Sequence, residues 1–330
     1  MTIGRPRAVF FGSPTFAVPS LRVAAAETRL CAVVSQPDRP AGRGRASSAP
    51  AVKLAAQALG VPIFQPEKVR TPETLATLAA FEADIFIVVA YGRILPQTLL
   101  DLPRLGAFNV HASLLPKLRG AAPIQWAIIN GEHETGVSIM RMEAGLDTGP
   151  VAARRGLPIA DDDTAGTLSI KLAELGAQLL GETLPAIVGG ALALTPQNEA
   201  AHTLAPLLSK TDGRLDFGQP ARRVSAQARG VDPWPGATAL LDGEVVRLFE
   251  PIVLPPAPGG AGRDPGVVLG LGEVAGADHG APTSVLAIAC GDSDGTSIGF
   301  AELQLPGRRR LPVAAVLAGR PIPAGTRLDS

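Results

Sequence analysis

Short apolar runs alternate with longer helical patterns along the first part of the chain. The runs at 8–11, 30–34, 84–90, 107–111 and 136–140 have strand length, and helically spaced apolar positions lie between them. Over residues 1 to about 190 that alternation predicts a mainly parallel sheet covered by helices, an α/β unit of Rossmann-like layering. Ser13-Pro14, directly after the first run, predicts a helix start with Ser as N-cap and Pro in the first turn. The longest helical pattern covers 164–188, with Leu168, Leu172, Leu175 and Leu179 on one face and Gly189-Gly190 as its stop. Asp161-Asp162-Asp163 stands where it would satisfy that helix's N-terminus and dipole.

The pattern changes after residue 190. Residues 191–206 lack periodicity and read as a linker. From Leu207 onward one helix is expected at 221–229, and short β-like runs follow at 237–241, 245–249, 267–271, 285–290 and 297–303. Gly, Pro and Asp turns separate those runs, which suits a small barrel or sandwich, and an OB-like β-barrel is the expectation. The expected organisation is therefore 1–190 as an α/β domain, 191–206 as a linker and 207–330 as a β-barrel domain.

Composition narrows the function classes. Hydrophobic residues make up 46% of the 330, and aromatics only 4%, so the core must rest on Ala, Val, Leu and Ile. A formal net charge of zero argues against a generally basic protein that coats nucleic acid, although a local patch can still bind one. Cys31 and Cys290 lie far apart in apolar runs and read as reduced core residues. Nowhere do Cys and His have metal-ligand spacing, so no metal is expected. The apolar run before Gly12 is too short for a signal peptide, and nothing approaches the roughly 20 apolar residues of a membrane span. The expected compartment is the cytoplasm, with no membrane partner. Phe11-Gly12-Ser13-Pro14 is not the G-x-G-x-x-G of dinucleotide sites, and no phosphate-binding Walker sequence is present, which disfavours a nicotinamide oxidoreductase.

The candidate chemistry lies at the fourth run. Asn109 and His111 are two apart on a strand and project from one face, and Ser113 and Pro116 break the strand just beyond them. Polar groups at the carboxyl end of such a strand occupy the place where α/β sheets bind ligands. Alone, Asn-x-His also suits a hydrogen-bonded core pair. Asp147, in Gly145-Leu146-Asp147-Thr148-Gly149, alone suits a turn whose carboxylate caps its own loop. His133, His202 and His279 sit in polar turns and suggest solvated loops.

Four segments resemble one family. They are Phe10-Phe11-Gly12-Ser13-Pro14-Thr15-Phe16-Ala17, Ser35 through Gly44, Val88-Val89-Ala90-Tyr91-Gly92, and Asn109 through Ile124. Together with Gly145-Leu146-Asp147-Thr148-Gly149 they are similar to the formyltransferases that use 10-formyltetrahydrofolate. The loop at 37–44 and the extra C-terminal region resemble the branch acting on methionyl-tRNA. The resemblance implies formyl transfer from 10-formyltetrahydrofolate to the α-amino group of initiator methionyl-tRNA, for translation initiation, by a monomer. It implies Asn109, His111 and Asp147 as the catalytic set.

That set suits the reaction. An acyl transfer to an amine passes through a tetrahedral oxyanion, which needs a donor aimed at it and a group that manages the amine's proton. Asn109 supplies a neutral N–H, an imidazole changes charge near neutrality, and Asp147 can hold the ring and anchor a water. The folate is expected against Ser113, Leu114, Leu115 and Pro116 and the turn Ala90, Tyr91, Gly92. Arg39, Arg43 and Arg45 make the 37–45 loop cationic, suited to phosphates or stacked bases of a tRNA acceptor end, or simply to solvent. Lys210 is the further tRNA candidate, with Arg308-Arg309-Arg310 as a second patch. Two alternatives stay open on sequence: the same chemistry on a sugar-nucleotide amine, and a catalytically idle folate- or RNA-binding module.

Overall fold

The computed structural model describes residues 5–41, 46–256, 262–275 and 282–329. They form two compact units. One comprises Met1–Pro123, Glu134–Pro158 and Leu168–Pro206, the other Ile124–His133, Ile159–Thr167 and Leu207–Ser330.

The first unit is built on a seven-stranded sheet. In spatial order its strands are Val151–Pro158, Glu134–Arg141, Ala107–His111, Ile85–Val89, Arg7–Gly12, Arg29–Val34 and Ile63–Phe64. The five from Ala107–His111 to Ile63–Phe64 run parallel. The apolar run at 136–140 belongs to Glu134–Arg141, which is antiparallel to its neighbour, as is the edge strand Val151–Pro158. The sheet is therefore mixed, because a side-chain period of two reports a strand but not its direction.

Strands buried on both faces explain the continuous apolar runs. All five residues of Ile85–Val89 are buried, and Phe11 packs on Phe86 and Tyr91 at ring-centroid distances of 5.1 and 5.6 Å. Each such side chain removed from water contributes about 1.5–3 kcal/mol. The helix Ala165–Val188 lies close on the same sheet. A Cβ at Gly176 would come within 2.8 Å of Val110 Cγ1, so only glycine permits that approach next to the Asn109 strand.

Two expected caps differ. A 3-10 turn, Thr15–Ala17, precedes the first helix, Val18–Glu27, and Ser13 caps neither. Its hydroxyl instead donates to the Tyr91 carbonyl at 3.3 Å and accepts from the Gln36 N–H at 3.2 Å. At the start of the long helix, Thr164 and Thr167 exchange backbone-to-hydroxyl bonds of 3.0 and 3.2 Å in the manner of a capping box. Asp163 is buried and accepts from Thr167 Oγ1 and Ala160 N instead.

The second unit carries the helix Ala221–Gly230 and an antiparallel sheet. Its order is Val268–Val274, Thr283–Ala289, Ser297–Gln304, Glu244–Leu254, Thr238–Leu241 and Leu328–Asp329, with Leu311–Pro312 added beside Ser297–Gln304. The two ends of that order meet. Val268 N donates to Thr326 O at 2.8 Å, Leu328 N to Gly266 O at 2.8 Å, and Val267 bridges Arg327. The sheet thus closes on itself as a small barrel. Among the described residues no helix is long and apolar enough to cross a membrane.

Candidate active site

The Ala107–His111 strand places its two polar side chains as a period of two demands. Asn109 is partly exposed, while His111 is 5% exposed. The strand is held in register on one side by Val88 opposite Asn109 and on the other by Ser138 opposite His111. Asp147 arrives on the turn that follows Glu134–Arg141, with a left-handed φ of +53°.

Three groups surround the Asp147 carboxylate. Oδ2 accepts from the Gly120 N–H at 2.9 Å and lies 3.7 Å from His111 Nδ1, and Oδ1 accepts a long 3.5 Å bond from Asn109 Nδ2. On the other edge of the imidazole, Nε2 is 3.1 Å from the Leu118 carbonyl. A carbonyl can only accept, so that contact puts a proton on Nε2 and leaves Nδ1 facing the carboxylate. Gly120 has a φ of +127°, and a Cβ there would meet Ala205 O at 2.5 Å, so the N–H that grips Asp147 requires glycine.

Around this cluster the chain is tightly fastened. Ser113 is buried and its hydroxyl donates to Lys117 O at 2.6 Å, which makes it a turn residue and not a nucleophile. Ser138 Oγ donates to Ser113 O at 2.7 Å and accepts from Leu115 N at 3.1 Å. Residues 191–206, expected as a linker, are part of the site's scaffold. Leu204–Ala205 pairs with Arg119–Gly120, and Gln197 Nε2 donates to both Asp147 O and Gly149 O at 2.7 Å. Sequence reasoning missed Gly120, Arg119, Ser138 and Gln197. The one available signal was the polar run Gln197-Asn198-Glu199 in an otherwise featureless stretch.

With an amide, an imidazole and a carboxylate converging at a strand end, comparison with known proteins decides the family. Residues 7–184 match the model described as "Formyl transferase", and 207–321 match "Formyl transferase, C-terminal domain". A methionyl-tRNA formyltransferase of Sorangium cellulosum (strain So ce56) is 47% identical over 319 residues, 97% of this chain and 98% of that protein. The chain belongs to the methionyl-tRNA formyltransferase family. A second member, from Geobacter sulfurreducens (strain ATCC 51573 / DSM 12127 / PCA), is 43% identical over 323 residues, 98% of this chain and 96% of that one. The crystal structure of WlaRD, a sugar 3N-formyl transferase, shares the fold with a TM-score of 0.62 at 16% identity, covering 92% of this chain and 99% of that chain.

Leu114 and Pro116 are partly exposed, and Leu115 is buried with its carbonyl accepting from Arg154 Nη1 at 2.8 Å. Ala90 and Gly92 are exposed in left-handed backbone, with φ of +47° and +78°. Tyr91 points the other way. Its ring is core, its hydroxyl is buried, burial raises the phenol's pKa, and only its main chain faces the strand ends. Arg39 is exposed on a short hairpin, Arg39–Ala41 against Ala46–Ser48, and donates to Gln36 Oε1 at 2.5 Å. Arg43 and Arg45 lie outside the described residues. Lys210 opens the exposed 3-10 turn Lys210–Gly213. Arg310 departs from the expected patch: it is ion-paired to Glu250 and Glu302 and stacks 4.3 Å from the Phe249 ring, so its charge is already committed.

Proposed function

We propose that Asn109, His111 and Asp147 carry the family's reaction, the transfer of a formyl group from 10-formyltetrahydrofolate to the amino group of methionyl-tRNA. The observation that supports this assignment is the Asp147 carboxylate, seated within 4 Å of His111 Nδ1 while anchored by Gly120 N. Among the described residues Asn109 Nδ2 holds only a long bond to Asp147, so it can turn to a developing oxyanion and stabilise it. His111 Nδ1 receives the proton shed by the attacking nitrogen and returns it to the departing one, while Asp147 opposes the positive charge that proton creates. The strand ends bring these groups beside Leu114, Pro116, Ala90 and Gly92, whose exposed apolar atoms and backbone suit a flat heteroaromatic ring. On this reading the protein acts as a cytoplasmic monomer on initiator methionyl-tRNA.

Recognition divides by domain. The α/β layer, residues 1–190, binds folate and reacts. The cationic loop with Arg39, Arg43 and Arg45, together with Lys210 and the barrel domain of 207–330, engages the tRNA and fixes the amine by proximity. The test is incubation with 10-formyltetrahydrofolate and charged initiator methionyl-tRNA, scored for N-formylmethionine, beside a sugar-nucleotide amine. Formylation of the sugar amine alone would overturn the reading.

A further inference from the structure

We infer that Gln197 is a positioning residue for the reaction, holding the turn that presents Asp147. The inference rests on the catalytic reading of Asp147 and goes beyond it. Gln197 comes from residues 191–206, fifty positions beyond the carboxylate it serves.

The contacts form a closed ring. Gln197 Nε2 gives both its hydrogens to main-chain oxygens of the turn, Asp147 O and Gly149 O, at 2.7 Å each. Gln197 Oε1 accepts from Arg119 Nε at 3.1 Å and Nη2 at 2.8 Å. Arg119 is 4% exposed and is locked on its far side by Glu199, with bonds of 2.9 and 2.6 Å. The next residue, Gly120, returns to the start by donating to the Asp147 side chain at 2.9 Å. One short segment thus grips Asp147 twice, at its carboxylate through Gly120 and at its main chain through Arg119 and Gln197.

The amide orientation is fixed by chemistry. A flipped Gln197 would set its oxygen against two carbonyls and its NH2 against a guanidinium, so all four contacts would become repulsive. The turn needs such a hold. Leu146 is 59% exposed beside Asp147, and Asp147 adopts a left-handed φ that an aspartate tolerates but does not by itself fix. Without the two bonds to its main chain, nothing else among the described contacts fastens Asp147 O. The carboxylate then drifts from its 3.7 Å approach to His111 Nδ1.

A purely structural role, that of giving buried Arg119 an acceptor, makes a different prediction. Gln197→Glu keeps the acceptor and strengthens the pairing with Arg119, but removes both donors and sets a carboxylate against two carbonyls. A positioning role therefore expects kcat to fall about tenfold or more with the KM for 10-formyltetrahydrofolate unchanged. Gln197→Met, which preserves length and packing, should do the same. The decisive arm is a cycle with Asp147→Asn, measured under single turnover. If Gln197 acts through Asp147, adding Gln197→Glu to Asp147→Asn costs little more than Asp147→Asn alone. Near-normal kcat in Gln197→Glu overturns the inference, as does an equal loss in both backgrounds. Full activity of Asp147→Asn would overturn the catalytic reading itself, and the inference with it.

Discussion

Ser138→Ala removes one oxygen atom and should loosen the lip of the site. That hydroxyl donates to Ser113 O at 2.7 Å and accepts from Leu115 N at 3.1 Å. Ser113, Leu115 and Ser138 are all 0% exposed, so water cannot replace the lost partner without opening the strand end. Leaving a buried N–H or C=O unsatisfied costs about 1–3 kcal/mol, and two such groups together give a loss of about 2–4 kcal/mol, since the chain relaxes in part. That is a large share of a net stability of about 5–15 kcal/mol. Hydrogen exchange is the appropriate assay, because it reads local opening and does not assume that both units unfold together. Peptides covering 107–118 should exchange faster in the variant, while those of the barrel keep their rates. The KM for 10-formyltetrahydrofolate should rise with them, because Leu114 and Pro116 flank the released amide. Unchanged exchange in 107–118 would refute the reasoning, since it would mean that Ser138 does not hold the turn.

Three other outcomes follow from the same contacts. Lys53, bonded to both Asp38 carboxylate oxygens at 2.9 and 2.7 Å, and then Gln65, hold the Asp38 carboxyl below its ordinary 3.8. A depressed carboxyl contributes stability that is complete above the ordinary value and lost as pH falls beneath it, so Lys53→Met should move the Asp38 NMR titration upward; an unmoved titration refutes the pairing. Burial first, then Asp292, pushes the Cys290 thiol up to about 12, so only the half-buried Cys31 should react with a thiol reagent at mildly alkaline pH until the protein is unfolded. Arg43→Ala should weaken tRNA use and lower the salt slope of binding by about one unit or less while folate binding holds, and an unchanged slope would assign the loop to solvent.

What could be read from the sequence depended on whether the signal was local. Asn109 and His111 share a face because of strand periodicity, and their strand appears at its expected ends. The Asp147 turn was recognisable as a segment, yet its partners were not, because Gly120 and Gln197 lie 27 and 50 residues away along the chain. Residues 191–206 read as a linker because their order comes from pairing with Arg119–Gly120, which no periodicity announces. Val151–Pro158 escaped notice because an edge strand tolerates Arg154 and Arg155 in its alternation. Ser13 misled for a different reason: its hydroxyl could cap a helix, but tertiary bonds to Tyr91 and Gln36 won the competition.

In the proposed reaction His111 carries the proton, with Asp147 and Asn109 arranged around it. Single-turnover formylation of methionyl-tRNA by His111→Ala, with 10-formyltetrahydrofolate saturating, tests it most directly. The rate should fall by about 10²-fold or more, with both substrates still bound and the fold intact by circular dichroism. A folded His111→Ala enzyme that formylates at near the parent rate would contradict it.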